Sequence, residues 1–213
     1  MANLLSSNYD SGRINIHSGL TSTITSSFST PAANPYGLSM DLSGNLIIAI
    51  LTGSKVYVMS GITATVSSSF GAPGTWSAMG LALDASSNLL ISNVVDDKTF
   101  IMIGVSGSVS SSFPMPSSSS NGITLTPDLD LLSSDDGTNL IYVHSGITST
   151  VTSSFASPSS DSKDITLDGS NNLIVADYND GKLYFMSGIS STISTSYSRA
   201  TPWGLTMDSA GGC

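Results

Sequence analysis

Four aspartates, Asp41, Asp84, Asp168 and Asp208, recur in equivalent sequence contexts, and a ring of converging carboxylates is the first chemistry they suggest. Glycosidic hydrolysis needs two acids facing one bond, with environments that push their pKa values apart. Each of these aspartates instead stands just before a short turn rich in Ser, Gly and Ala, as in Asp41-Leu-Ser-Gly and Asp168-Gly-Ser-Asn. There an Asp side chain accepts hydrogen bonds from the amides that follow it. The chain holds no Glu, and the residues preceding these aspartates are Ser, Thr, Ala, Leu and Met. The aspartates are therefore expected to build turns, and no catalytic residue is assigned.

His17 and His144 align with Met59, Met102 and Met186, in repeats that are not adjacent. Two histidines without a third ligand nearby do not make a metal site, and neither a metal nor a cofactor is expected. Pairs such as Asp96-Asp97 and Asp135-Asp136 do not follow the spacing of a calcium loop. No HExxH, nucleophile elbow or phosphate-binding Gly loop occurs. The lone Cys213 rules out an internal disulfide and a Cys-rich zinc site, and its Gly-Gly-Cys setting fits an added labelling handle or a truncated boundary.

Residues suited to binding are better represented. Tyr36, Trp76 and Trp203 fall in segments that link one repeat to the next, and Tyr9-Asp10, Asp96-Asp97, Asp135-Asp136 and Asp177-Tyr178-Asn-Asp180 fall in loops inside the repeats. Aromatic faces beside carboxylates can stack on and hydrogen-bond a sugar, or seat a Lys/Arg-rich peptide. The candidate ligand-binding set is Tyr36, Trp76, Trp203, Asp97, Asp136 and Tyr178. The alternative is that the aromatics only cover a channel mouth while the aspartates solvate turns.

The elements that position these residues follow from a fivefold repeat. Asn3-Leu4, Asn45-Leu46, Asn88-Leu89, Asp130-Leu131 and Asn172-Leu173 open it, and Phe28, Phe70, Phe113, Phe155 and Tyr197 close it, 42 or 43 residues apart. This period, with alternating apolar residues and scarce helix formers, predicts an all-β, five-bladed propeller of four antiparallel strands per blade. In the clearest copy the strands are expected at 37–41, 45–50, 55–59 and 62–70. The blades are approximately 36–70, 79–113, 121–155 and 163–197, and residues 204–213 join 1–28 as the fifth. Segment 204–208 is thus expected to pair with 3–7, closing a monomeric ring. The small row Ser39, Ala82, Thr124, Thr166 and Thr206 is expected to face the crowded axis, and the closing Phe residues to wedge between blades.

The run Asn172-Leu-Ile-Val-Ala-Asp177-Tyr-Asn-Asp-Gly-Lys182-Leu-Tyr-Phe resembles an NHL repeat, with Asp and Asn at the first turn, a strand ending in Ala-Asp, a Gly/Asn loop and a basic residue opening the third strand. The basic position is Arg13, Lys55, Lys98 and Lys182, with Leu140 in the remaining copy. The resemblance spans the whole chain and implies a propeller. It departs from the usual pattern in having five units and in carrying Thr126 and Asp130 at the turn of the fourth. NHL-like propellers include protein-binding, RNA-binding and enzymatic members, so the resemblance does not choose a function.

The net charge of −9 disfavours nucleic acid and anionic lipid as partners. No apolar run reaches membrane-spanning length and no basic-then-hydrophobic leader opens the chain. A Ser/Thr-rich, charge-poor composition leans toward an extracellular, cell-surface or virion setting. The expectation is a non-enzymatic binding or scaffold module for a protein, peptide or glycan. The alternatives are a propeller-type hydrolase or lyase, or a structural subunit of a surface or virion assembly.

Overall fold

The computed structural model describes residues 2–75 and 77–208; Met1, Trp76 and 209–213, with Cys213, lie outside them. The described residues form strands and turns with no helix. Strands β1 (Leu4–Asn8), β2 (Arg13–His17) and β3 (Ile24–Ser29) belong to blade one. Blade two is β4 (Pro35–Met40), β5 (Leu46–Ile50), β6 (Lys55–Met59) and β7 (Val66–Gly71), and blade three is β8 (Ala78–Leu83), β9 (Leu89–Asn93), β10 (Lys98–Met102) and β11 (Val109–Pro114). Blade four is β12 (Ser120–Leu125), β13 (Leu131–Asp135), β14 (Leu140–His144) and β15 (Val151–Ala156). Blade five is β16 (Ser162–Leu167), β17 (Leu173–Asp177), β18 (Lys182–Met186) and β19 (Ile193–Ser198), after which β20 (Pro202–Met207) completes blade one. Each blade is an antiparallel meander, and the inner strands β4, β8, β12, β16 and β20 contact one another around a closed ring.

Closure uses the expected strands. β20 pairs with β1 in the register Leu4 to Met207, Leu5 to Thr206 and Ser6 to Leu205. The seam carries the same clasp as the ordinary first turns. In blade two, Asp41 Oδ1 accepts the amides of Ser43 at 2.9 Å and Asn45 at 2.7 Å, while Asn45 Nδ2 donates to Asp41 Oδ2 at 2.9 Å. Asn45 Oδ1 in turn accepts from Gly61 N, locking the first turn to the turn between the third and fourth strands. Asp84 with Asn88 and Asp168 with Asn172 repeat this arrangement. At the seam Asp208 accepts both the backbone and side-chain amides of Asn3, each at 2.7 Å, across 205 residues of sequence. Blade four manages with Thr126 Oγ1 accepting from Asp130 N and Asp130 Oδ1 accepting from Gly146 N.

Two local expectations are adjusted. The fourth strand of blade two begins at Val66 rather than 62, because Ser60 to Thr65 form a wider turn: Ser60 N donates to Thr65 O, and Thr63 Oγ1 donates to Ser60 O and accepts from Thr65 N. Moreover, the tightest point of the axis lies two residues before the Ser/Ala/Thr row. A Cβ on Gly37 would stand 2.2 Å from Met79 O, one on Gly80 2.6 Å from Ile123 N, one on Gly122 2.4 Å from Asp164 Cα, and one on Gly204 1.9 Å from Tyr36 O. Only hydrogen fits where adjacent inner backbones come this close. Blade five alone carries a side chain in that register, Asp164.

The core lies between blades rather than within any one sheet. Leu5 and Ile14 of blade one pack with Leu38, Met40, Leu46 and Ile48 of blade two, with Phe28 half-buried against them. Phe70, Phe113, Phe155 and Tyr197 occupy the matching places in other seams.

Candidate functional site

The channel has two mouths, and the meander assigns different residues to each. At one mouth lie the loops between second and third strands and the blade-to-blade connectors; at the other lie the turns between first and second and between third and fourth strands.

At the connector mouth Tyr9, Tyr36, Tyr178 and Trp203 form one aromatic cluster. Trp203 stacks on Tyr9 at 4.6 Å between ring centroids, lies 4.7 Å from Tyr36 and meets Tyr178 edge-on at 5.1 Å. Tyr36 and Trp203 retain only 5% and 8% of their surface, whereas Tyr9 and Tyr178 are half-buried. Burial, and then the neighbouring Tyr9, push the Tyr36 hydroxyl pKa well above the ordinary phenol range. Lys163 Nζ lies 5.2 Å from the Trp203 ring centre and pairs with Asp136 at 2.6 Å and with Asp161. Burial alone would lower the Lys163 pKa, but hydrogen bonds to Asp136 and Asp161 outweigh it and the net shift is upward. Trp203 Nε1 is buried without an acceptor among the described residues.

Of the six candidate residues, Tyr36, Tyr178 and Trp203 therefore meet in the cluster, and Asp136 adjoins it through Lys163. Asp97 is exposed on the loop after β9, and Trp76 lies outside the described residues. The neighbouring Asp96 is tied to Thr75, and Asp135 and Asp177 accept hydrogen bonds from loop amides and hydroxyls. Tyr9, half-exposed and stacked on Trp203, belongs to the platform although it stood outside that set.

Beneath the cluster sits Asp164, fully buried on β16. Its Oδ2 accepts from Leu205 N at 2.8 Å and its Oδ1 from Ile165 N at 2.9 Å. Burial raises its pKa well above the carboxylate range, partly offset by the backbone amides of Leu205, Ile165 and Leu38. Blade five's aspartate thus plugs the axis where the other blades have glycine. Three buried serines stitch the same layer: Ser7 Oγ accepts from Gly204 N and donates to Tyr36 O, Ser92 Oγ links Gly80 N to Asn121 O, and Ser134 Oγ accepts from Gly122 N.

The histidines are structural in their surroundings. His17 Nε2 meets Ser6 Oγ at 2.9 Å and His144 Nε2 meets Ser133 Oγ at 2.9 Å, all four side chains being fully buried. Desolvation lowers both imidazole pKa values, which holds the rings neutral. Blades ending the third strand in Met carry Ile48, Ile91 or Val175 where these two carry serine. Aligned repeats carry the signal for this paired exchange, since serine in the second strand goes with histidine at the end of the third.

At the opposite mouth the channel opens as a cavity of about 370 Å³ whose walls begin at Leu38, Leu81, Ile165 and Leu205 and end at the first turns. The row Ser39, Ala82, Thr124, Thr166 and Thr206 faces into it.

No protein-family model matches the chain and no curated protein matches its sequence. Solved structures do share its fold. A chain of the nidogen/laminin complex is 14% identical, with all of both chains covered and a TM-score of 0.72. Virginiamycin B lyase from Staphylococcus aureus, in a catalytically inactive H270A form with quinupristin, is 17% identical over 96% of this chain and 76% of its own, with a TM-score of 0.58. The WD40 propeller domain of Doa1 is 15% identical over 94% of this chain and 67% of its own, with a TM-score of 0.62. At these identities the likeness defines the class, a five-bladed β-propeller here, and stops there.

Proposed function

We propose that this propeller is a non-enzymatic binding module, built from NHL-like units, that recognises a protein, peptide or glycan through the loops of its connector mouth. The observation carrying this reading is the aromatic platform: Tyr9 and Tyr178 keep part of their rings exposed over a buried Trp203 and Tyr36, beside exposed Asp10, Asp97 and Asp180. Rings already held by stacking lose little entropy on contact, and the flanking carboxylates suit hydroxyl groups or basic side chains. The groups able to do acid-base work are committed elsewhere. Both histidines are enclosed and bound to serine, Asp164 is fully buried and accepts from the backbone amides of Ile165 and Leu205, and the turn aspartates accept from their own clasps. Among fold neighbours, the nidogen/laminin complex and the WD40 domain are consistent with recognition, while virginiamycin B lyase keeps the enzyme alternative in view.

The test is a glycan array and a peptide library screened with the full chain, followed by Tyr9→Ala and Tyr178→Ala. Truncating a true aromatic contact is expected to cost about 2 kcal/mol of binding or more. Asp168→Asn, on the opposite face, should leave that binding unchanged. Binding that survives both Tyr changes in a folded protein, or that maps to the outer rim, would remove the connector mouth as the site.

A further inference from the structure

The opposite mouth has its own recognition chemistry. Ser39, Thr166 and Thr206 are each more than nine-tenths buried and, with Thr124, line the 370 Å³ cavity, yet none of these four hydroxyls has a hydrogen-bond partner among the described residues. These hydroxyls open onto a common space and have no protein partner to compete for them, so they are free to pair with a polar group from outside. Above that ring Met40, Leu83, Leu125, Leu167 and Met207 make an aliphatic collar. Asp164, the axial glycines and the aromatic cluster lie on its far side, so the cavity is a cup.

Charge selects what enters. Arg13, Lys55, Lys98 and Lys182 open third strands at the connector end, Lys163 is the second residue of β16 at that end, and Arg199 precedes β20 there. These are all the Lys and Arg residues of the chain. The cup mouth is surrounded by turns bearing Asp41, Asp84, Asp128, Asp130, Asp168 and Asp208, with Asp84 and Asp168 in its wall. A concave apolar site rimmed by one sign of charge concentrates ions of the other sign. No aromatic ring lines the cup to stack on a sugar, whereas its hydroxyl oxygens can accept from N–H groups and its collar can cover alkyl carbons.

We propose that the turn-face cup binds an organic ammonium ion, its alkyl body held in the Met/Leu collar and its charge favoured by the Ser/Thr ring and the carboxylate rim. This site is separate from the connector mouth, and either can fail without the other. The ammonium could be a free alkylamine or the side chain of a lysine.

The experiment uses the full chain with ¹³C-labelled methionine methyls, assigned by single Met→Leu variants, and titrates n-hexylammonium, n-hexanol and hexanoate at one pH. Saturable shifts are expected at Met40 and Met207 and not at Met115, with hexylammonium at least tenfold tighter than hexanol and hexanoate silent. Higher salt should weaken it, and Thr166→Val with Thr206→Val, near-isosteric changes checked by melting, should weaken it severalfold. A blocked peptide with one central lysine distinguishes the sources: tighter binding than hexylammonium assigns the cup to a protein side chain, and weaker binding to a free amine. Equal affinity for hexanol or hexanoate, shifts centred on Met115, or no saturable shift at millimolar hexylammonium would overturn the proposal.

Discussion

Blade one and blade four each bury a Ser–His pair where the other blades bury an aliphatic–Met pair, which makes the exchange a direct test of how the blades are held together. His17 fills its pocket with Nε2 against Ser6 Oγ at 2.9 Å and Nδ1 against Thr21 O at 3.0 Å. His17→Met alone leaves the Ser6 hydroxyl buried and unpaired, a penalty of about 1–3 kcal/mol. Ser6→Val alone strands Nε2 and crowds the ring, costing about 1–3 kcal/mol by the same reasoning and by overpacking. The double variant reproduces the Val175/Met186 pair of blade five and should return to within about 1 kcal/mol of the parent, since coupled sites depart from additivity on that scale. For a chain of this size about 1 kcal/mol corresponds to roughly 2–4 °C in melting temperature. The assay is a double-mutant cycle by thermal and urea unfolding. A pH series adds a second readout. Because burial lowers the His17 and His144 pKa values, the unfolded chain takes up protons first as pH falls below about 6.5, the ordinary histidine value. Parent stability is therefore present above that pH and declines below it until the folded-state pKa is passed, and the double variant should decline less. Additive losses in the double variant, or identical pH slopes for it and the parent, would refute the pairing argument.

Asp208→Ala should cost about 1–2 kcal/mol, since it removes two 2.7 Å hydrogen bonds that join the chain's two ends, and calorimetry should show it at least as damaging as Asp84→Ala at about 1 kcal/mol. Gly80→Ala should destabilise by about 1–3 kcal/mol or prevent folding, because its Cβ would fall 2.6 Å from Ile123 N, whereas Gly71→Ala, with nothing within 4 Å, should melt with the parent. Trp203→Ala should lower the melting temperature whether or not a partner is present, because it removes the centre of a stacked cluster. A melting curve unchanged by that substitution would show that the ring packs less firmly than its 8% exposure implies.

The sequence determined the parts that depend on local pattern and on repetition. Strand alternation and the spacing of Phe28, Phe70, Phe113, Phe155 and Tyr197 specify the blade, and the Asp-turn-Asn segments specify their clasps, because these bonds span only two to four residues. Ring closure was legible too, since the strand content of one end supplies what the other lacks, as the pairing of β1 with β20 bears out. What tertiary structure decided was depth. Nothing in the sequence near Trp203 says that it is buried rather than offered to a ligand; that follows from Tyr9, Tyr36 and Tyr178 converging on it from separate blades. Likewise Asp164 reads as one more acid in a Ser-Lys-Asp run, yet it occupies an axial position held elsewhere by Gly37, Gly80, Gly122 and Gly204. The gathering of the Lys and Arg residues at the connector end, and of hydroxyls without a protein partner in the cup at the other, arises only when the five meanders are wound in the same sense about one axis, since strand direction alone assigns each loop to its face.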